Sequence, residues 1–146
     1  MRTKAATDPI RIIHANVPFN NGEYHITPFQ VPHDSTDNMG YKIVYHNITF
    51  VLITDAGHIT PDMQHFINEA NYLVIEANHD EIMLTQGPYP THLKERILSP
   101  NGHLSNQACG EALAQCATPA LKNVWLCHLS EENNHPVLAQ KSADSL

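Results

Sequence analysis

Apolar residues in the first half of this chain come in short β-prone runs; in the second half such runs alternate with stretches at helical spacing. IRIIHA (10–15) is β-branched and reads as a strand. EYHITPFQV (23–31) sets Tyr24, Ile26 and Pro28 against His25, Thr27 and Phe29, and reads as a strand ending near Pro32. YKIVYH (41–46) and ITFVLIT (48–54) flank a single Asn47, a hairpin signal. The second run is apolar enough to lie centrally in a sheet. YLVIEA (72–77) reads as a buried strand, and VWLC (124–127) as the last one.

Helical spacing begins after Thr60-Pro61, an N-cap followed by proline at the first helical position. That helix runs to about Ala70, with Met63, Phe66, Ile67 and Ala70 on one face. DEIMLTQG (80–87) reads as a short helix stopped by Gly87-Pro88, and THLKERIL (91–98) as another with Leu93, Ile97 and Leu98 inward. Ser105 caps a helix through about Ala117 that carries Ala108, Ala112, Leu113 and Cys116 on one face. A further helix follows Pro136.

Strands first, then alternating helix and strand, imply an α/β fold: one mixed sheet with helices on one face. ITFVLIT and YLVIEA are apolar on both faces, so the second face of the sheet also needs a cover, and no segment of the chain supplies one. Residues 1–9, in the polar opening MRTKAATDPI, read as a linker or the stump of something removed.

Composition narrows the partners. With 146 residues, 42% hydrophobic, the chain holds one core. Its formal charge of −7 argues against an extended basic groove, though metal ions can supply positive charge locally at a phosphate site. Three cysteines, Cys109, Cys116 and Cys127, are no disulfide framework, which favours a reducing, cytoplasmic compartment. Cys109 and Cys116 share a helical face as core thiols. No apolar run approaches membrane-spanning length, so no membrane is expected.

Three loops that follow or end apolar strands each carry a possible metal ligand: His33 in VPHDSTD, Asp55 in LITDAGH and His128 in WLCHLSEENN. Ligands at strand ends can converge, and an aspartate can bridge two ions. Singly, each has a plainer reading: His33 as a surface residue, Asp55 as a turn cap before Gly57. Glu76, ending YLVIEA, is a buried acid that needs a partner. His103 lies in NGHLSN just before a helix. A carboxylate holding an imidazole suits general acid work on a leaving group, but spacing alone favours structural roles for both.

The ordered set HDS…GY, TDAG, EANHD, GPYP…LKERIL, GHLSN and HLSEENN, from about Phe29 to Asn134, closely resembles the YycJ (WalJ) group of the metallo-β-lactamase superfamily. It is similar, more loosely, to tRNase Z and to phosphodiesterases of phosphonate metabolism. The resemblance implies that His33 and His128 are metal ligands, that Asp55 bridges two divalent ions (Zn2+ or Mn2+), and that Glu76 and His103 form the pair assisting departure of the leaving group. His79 of EANHD falls in a family motif without an assigned role, and His58 matches no ligand position.

One departure is large. The HxHxDH block that supplies most ligands in this family is absent, and so is the first sheet of its αββα sandwich. The chain is therefore expected to be the C-terminal half of such a hydrolase, a partial domain over 1–146. It would be a phosphodiesterase or nuclease acting on nucleic acid or another phosphodiester when complete, with an incomplete metal site and little activity alone. The LAQKSADSL end likewise stops early in a helical pattern. Association with the missing half, or with itself, is expected through the uncovered sheet face. The alternative is a catalytically inert remnant or partner-binding α/β domain.

Overall fold

The computed structural model describes residues 11–144. Six strands form one mixed sheet in the order β1-β2-β3-β4-β5-β6. They are β1 (Phe19–Asn21), β2 (Tyr24–Gln30), β3 (Met39–Tyr45), β4 (Ile48–Ile53), β5 (Tyr72–Glu76) and β6 (Asn123–Cys127). The first four meander antiparallel, whereas β4, β5 and β6 run parallel. Parallel neighbours need a crossover. The first crossover contains α1 (Pro61–Glu69); the second contains α2 (Glu81–Gln86), α3 (Thr91–Leu98) and α4 (Asn106–Cys116); α5 (Pro136–Asp144) follows β6.

The caps form where the sequence places them. Thr60 accepts from Met63 N, Asp80 from Ile82 N and Met83 N, and Ser105 from Ala108 N. Each satisfies an amide the first helical turn would otherwise leave open. The β3–β4 turn is the two residues His46 and Asn47, with His46 in the left-handed region at φ 49°.

One core lies between the sheet and the helices. Strand alternation turns Val51, Ile53, Leu73 and Ile75 towards Met63 and Ile67 of α1, and Cys109, Ala112, Leu113 and Cys116 of α4. Phe29 stacks on Phe66 at 4.5 Å, and it fits because its cross-strand partner is Gly40. A Cβ on Gly40 would come within 2.5 Å of the Phe29 ring. Burial raises the Cys109 thiol to about 12 and the Cys127 thiol to about 11.

The other sheet face carries Ile43, Phe50, Leu52, Tyr72 and Val74, half-buried, and Tyr24, Tyr45, Ile48 and Trp125, exposed. Tyr24 lies against Tyr45 and Tyr72 stacks on Trp125, each pair covering its members only in part. Among the described residues nothing covers this face.

Two expectations change, and one strand, β1, was not expected. No strand forms at 11–15, where Ile12 is 79% exposed; Ile10 and the stretch 1–9 lie outside the described residues. A β-branched run becomes a strand only when a sheet edge accepts it, and the free edge of β2 is taken by β1. The β1 sequence, Phe-Asn-Asn, has little strand propensity and pairs through the turn at Gly22, whose φ is 60°. In α3 no residue is buried, and Leu98 is 48% exposed rather than inward. That helix does not pack on the main core.

Candidate metal centre

Four loops at the ends of β2, β4, β5 and β6, together with the segment entering α4, bring the predicted residues to one place. The loops touch through backbone. Gly57 N donates to Pro32 O at 2.8 Å. A Cβ on Gly57 would stand 2.2 Å from Pro100 O and 2.7 Å from Gly102 N, so the glycine of TDAG is what lets two site loops meet.

His33, 11% exposed, places Nδ1 3.0 Å from Gly102 O. A carbonyl only accepts, so Nδ1 carries the proton and Nε2 keeps its lone pair. That Nε2 lies 3.8 Å from Asp55 Oδ1. Asp34 beside it is engaged by Arg96, which holds the Asp34 carboxyl below its ordinary pKa, chiefly through their hydrogen bond.

Glu76 is fully buried and is the hub. Its Oε2 accepts from Ala56 N at 2.7 Å. Its Oε1 lies 2.7 Å from His103 Nδ1 and 2.8 Å from His128 Nδ1. An ionised carboxylate only accepts, so both Nδ1 atoms donate to it and both Nε2 atoms remain available. The hydrogen bond to Glu76 raises the His103 pKa above its ordinary value, against the opposing effect of burial. The three imidazoles pack in series, His33 to His103 at 4.9 Å and His103 to His128 at 5.1 Å between ring centres.

Two of the converging residues have strained backbone. Asp55 and His128 both sit in the left-handed region at φ 55°, which costs a non-glycine residue of order 1 kcal/mol or more. Each is pinned by an asparagine amide: Asn38 Nδ2 donates to Asp55 O at 2.9 Å, and Asn78 Nδ2 to His128 O at 2.9 Å. A third clamp is the buried amide pair of Asn106 and Asn134, whose reciprocal bonds are 2.8 and 2.9 Å. Asn134 also donates to Ala77 O at 2.8 Å, tying the loop after β6 to the end of β5. The sequence reading weighed only acids and imidazoles and missed these four residues. For three of them the available signal was the asparagine in EANHD, in GHLSN and at the end of SEENN; Asn38 lies outside these motifs.

Thus His33, Asp55 and His128 lie on one edge of the sheet, with Asp55 Oδ1 3.8 Å from His33 Nε2 and 3.4 Å from His128 Nδ1. Glu76 and His103 are hydrogen-bonded beside them. His58 bonds Pro100 O and stands apart from the cluster. His79 is buried at 1% exposure with neither ring nitrogen partnered among the described residues, and burial lowers its pKa.

The donor set suits a divalent ion. One ligand atom each from Asp55, Glu76, His103 and His128 lies within 4.8 Å of the other three, and His33 adjoins through Asp55. Nitrogen and oxygen ligands about 2.0–2.2 Å from an ion are a zinc-type set. The short Nδ1 contacts to Glu76 are those of hydrogen bonds, which leaves Asp55 and the Nε2 atoms of His33, His103 and His128 as the donors free to ligate.

With its helix-backed mixed sheet and strand-end cluster, the chain belongs to the β-lactamase superfamily domain family, whose model matches residues 2–129. It is 38% identical over 125 residues to exodeoxyribonuclease YycJ of Bacillus anthracis, covering 86% of this chain and 47% of that protein. It is 40% identical over 118 residues to exodeoxyribonuclease WalJ of Streptococcus pneumoniae, covering 81% of this chain and 44% of that one. The chain therefore spans about half the length of these curated relatives. The metallo-β-lactamase fold protein YhfI from Bacillus subtilis superposes with a TM-score of 0.68 at 18% identity, over 91% of this chain and 48% of that one. Human tRNase Z, short form, gives 0.56 at 20% identity, over 77% and 38%. These two likenesses speak to the fold. No helix among the described residues is long and apolar enough to cross a membrane.

Proposed function

We propose that this chain carries the second half of a two-metal site for hydrolysing phosphodiester bonds in nucleic acid, the remaining ligands coming from residues outside these 146. The relatives named as exodeoxyribonucleases make DNA the first substrate to test. The observation that supports this most is Glu76, whose one oxygen takes Nδ1–H from both His103 and His128 and so presents both Nε2 atoms at the sheet edge.

Divalent ions there, Zn2+ or Mn2+, would supply positive charge to the phosphoryl oxygens and lower the pKa of water. Asp55, His33 and His128 would hold them. His103 would hold a proton at Nε2 and pass it to the leaving oxygen, keeping its Nδ1–H on Glu76 throughout. Such proton transfer contributes typically 10²–10⁴-fold.

The test joins this chain to the N-terminal half of a curated relative and measures metal content and release of nucleotides from DNA. The proposal expects little metal and no turnover from the chain alone, and both when joined. Robust exonuclease activity from the chain alone contradicts it.

A second reading, an inert partner-binding domain, draws on the apolar outer sheet face, where Trp125 is 47% and Ile48 43% exposed. It predicts that the joined protein gains stability but neither metal nor turnover.

A further inference from the structure

Helix α3 buries nothing in the main core, yet it is amphipathic and firmly held. Arg96 forms a two-pronged ion pair with Asp34, joining the helix to the His33 loop. At its other end Lys94 Nζ donates to Thr85 O at 2.8 Å and Gly87 O at 2.7 Å, fixing the turn that carries Tyr89. Two cations are thus spent on holding a helix whose apolar residues face away from the main core.

They face a cavity instead. Leu93, Ile97 and Tyr89 line a space of about 340 Å³ whose far wall is His103, His128 and the segment Leu129–Glu131. It opens directly onto the candidate centre. Its volume is at the small end for ligand clefts, room for one small planar group and not for a duplex. Away from the imidazoles its lining does not suit a phosphate: Arg96 is already paired with Asp34, and Glu131 adds negative charge. What remains is an aromatic ring, the aliphatic side chains of Leu93, Ile97 and Leu129, and polar groups at the margin, a suitable lining for an uncharged heteroaromatic ring.

Resting on the phosphodiester reading above, we propose that this cavity receives the nucleobase at the reacting end of a single nucleic-acid strand, stacked on Tyr89, with the adjoining phosphate at His103 and His128. Tyr89 is then a binding residue, and α3 exists to build the wall. A base reaches such a cavity only when unpaired, so the site selects strand ends over continuous duplex.

The experiment follows amide and side-chain resonances of the isotope-labelled chain during titration with deoxyadenosine, thymidine and 2-deoxyribose 5-phosphate. Both nucleosides should shift Tyr89, Leu93 and Ile97, and the sugar phosphate should not. Tyr89→Ala should weaken nucleoside binding by about fivefold to a hundredfold, the usual range for one lost base stack, and Tyr89→Phe should retain it. Because Tyr89→Ala could disturb the turn, Leu93→Gln provides a second lesion, expected to weaken binding while the remaining spectrum is unchanged. Equal shifts from the sugar phosphate, no nucleoside shift at Tyr89, or full affinity in both variants overturns the inference. Failure of the wider reading looks different: nucleosides would still bind at Tyr89 while the joined protein cleaves no DNA.

Discussion

The Asn78 side-chain amide donates to the carbonyl oxygen of His128 at 2.9 Å, and His128 is held at φ 55°. Asn38 does the same for Asp55, also at φ 55°. Two residues proposed as metal ligands thus owe their backbone shape to amides from other loops. Strained positions of this kind persist only where the surroundings over-determine them. Asn78→Ala should therefore cost about 1–3 kcal/mol, measured by urea unfolding. It should also release His128 Nδ1–H from Glu76, seen in imidazole nitrogen shifts. An unchanged His128 tautomer signal would remove Asn78 from the account.

Glu76→Gln keeps the shape of the hub and reverses half of its chemistry. The one remaining oxygen cannot serve Ala56 N and two imidazole donors, and the new amide turns N–H towards N–H. Loss of a buried charge network of this kind costs roughly 3 kcal/mol, readable by denaturant midpoint at pH 7. A variant as stable as the parent would show that the donors around Glu76 are satisfied elsewhere.

His79 predicts a pH dependence. Burial holds its pKa below 6.5, so the unfolded chain binds a proton that the folded chain refuses. Stability therefore falls as pH drops through about 6.5 and towards the folded value. His79→Leu removes two unpartnered buried nitrogens. It should be neutral or stabilising at pH 7 and should flatten that acid limb. A variant with the same slope between pH 7 and 5.5 would place the titration elsewhere.

The uncovered sheet face predicts association. Trp125→Lys combined with Ile48→Lys introduces charge on exposed positions without touching the helix-side core. In sedimentation experiments the parent chain should self-associate with rising concentration, and the double variant should do so less. A monodisperse parent would show that the face is tolerated open.

Much of this fold is legible in the sequence because its signals are local. Thr60, Asp80 and Ser105 cap helices, and the alternation in YKIVYH and ITFVLIT sets a hairpin. The strand-end positions of His33, Asp55 and His128 follow from where the apolar runs stop. What is not legible depends on partners distant in the chain. Phe19–Asn21 is a strand only because β2 offers an edge, and Ile12 is not one because that edge is taken. Leu93 and Ile97 share one helix face but meet a cavity instead of the core. The pinning of Asp55 by Asn38 and of His128 by Asn78 spans 17 and 50 residues, beyond any local pattern. Glu76's double acceptance likewise needs β5 and β6 to pair in parallel at Glu76 and Cys127.

The central claim is the division of labour between His103, which would move a proton, and His128, which would hold a metal. It is tested most directly by measuring metal content and DNA hydrolysis together in His103→Ala and His128→Ala, each in the chain joined to a relative's N-terminal half. The account predicts that His103→Ala keeps its full metal complement and loses about 10²–10⁴-fold in turnover, whereas His128→Ala loses metal and activity together. Loss of metal in His103→Ala would make His103 a ligand alongside His33, Asp55 and His128, and would contradict the proposed acid role.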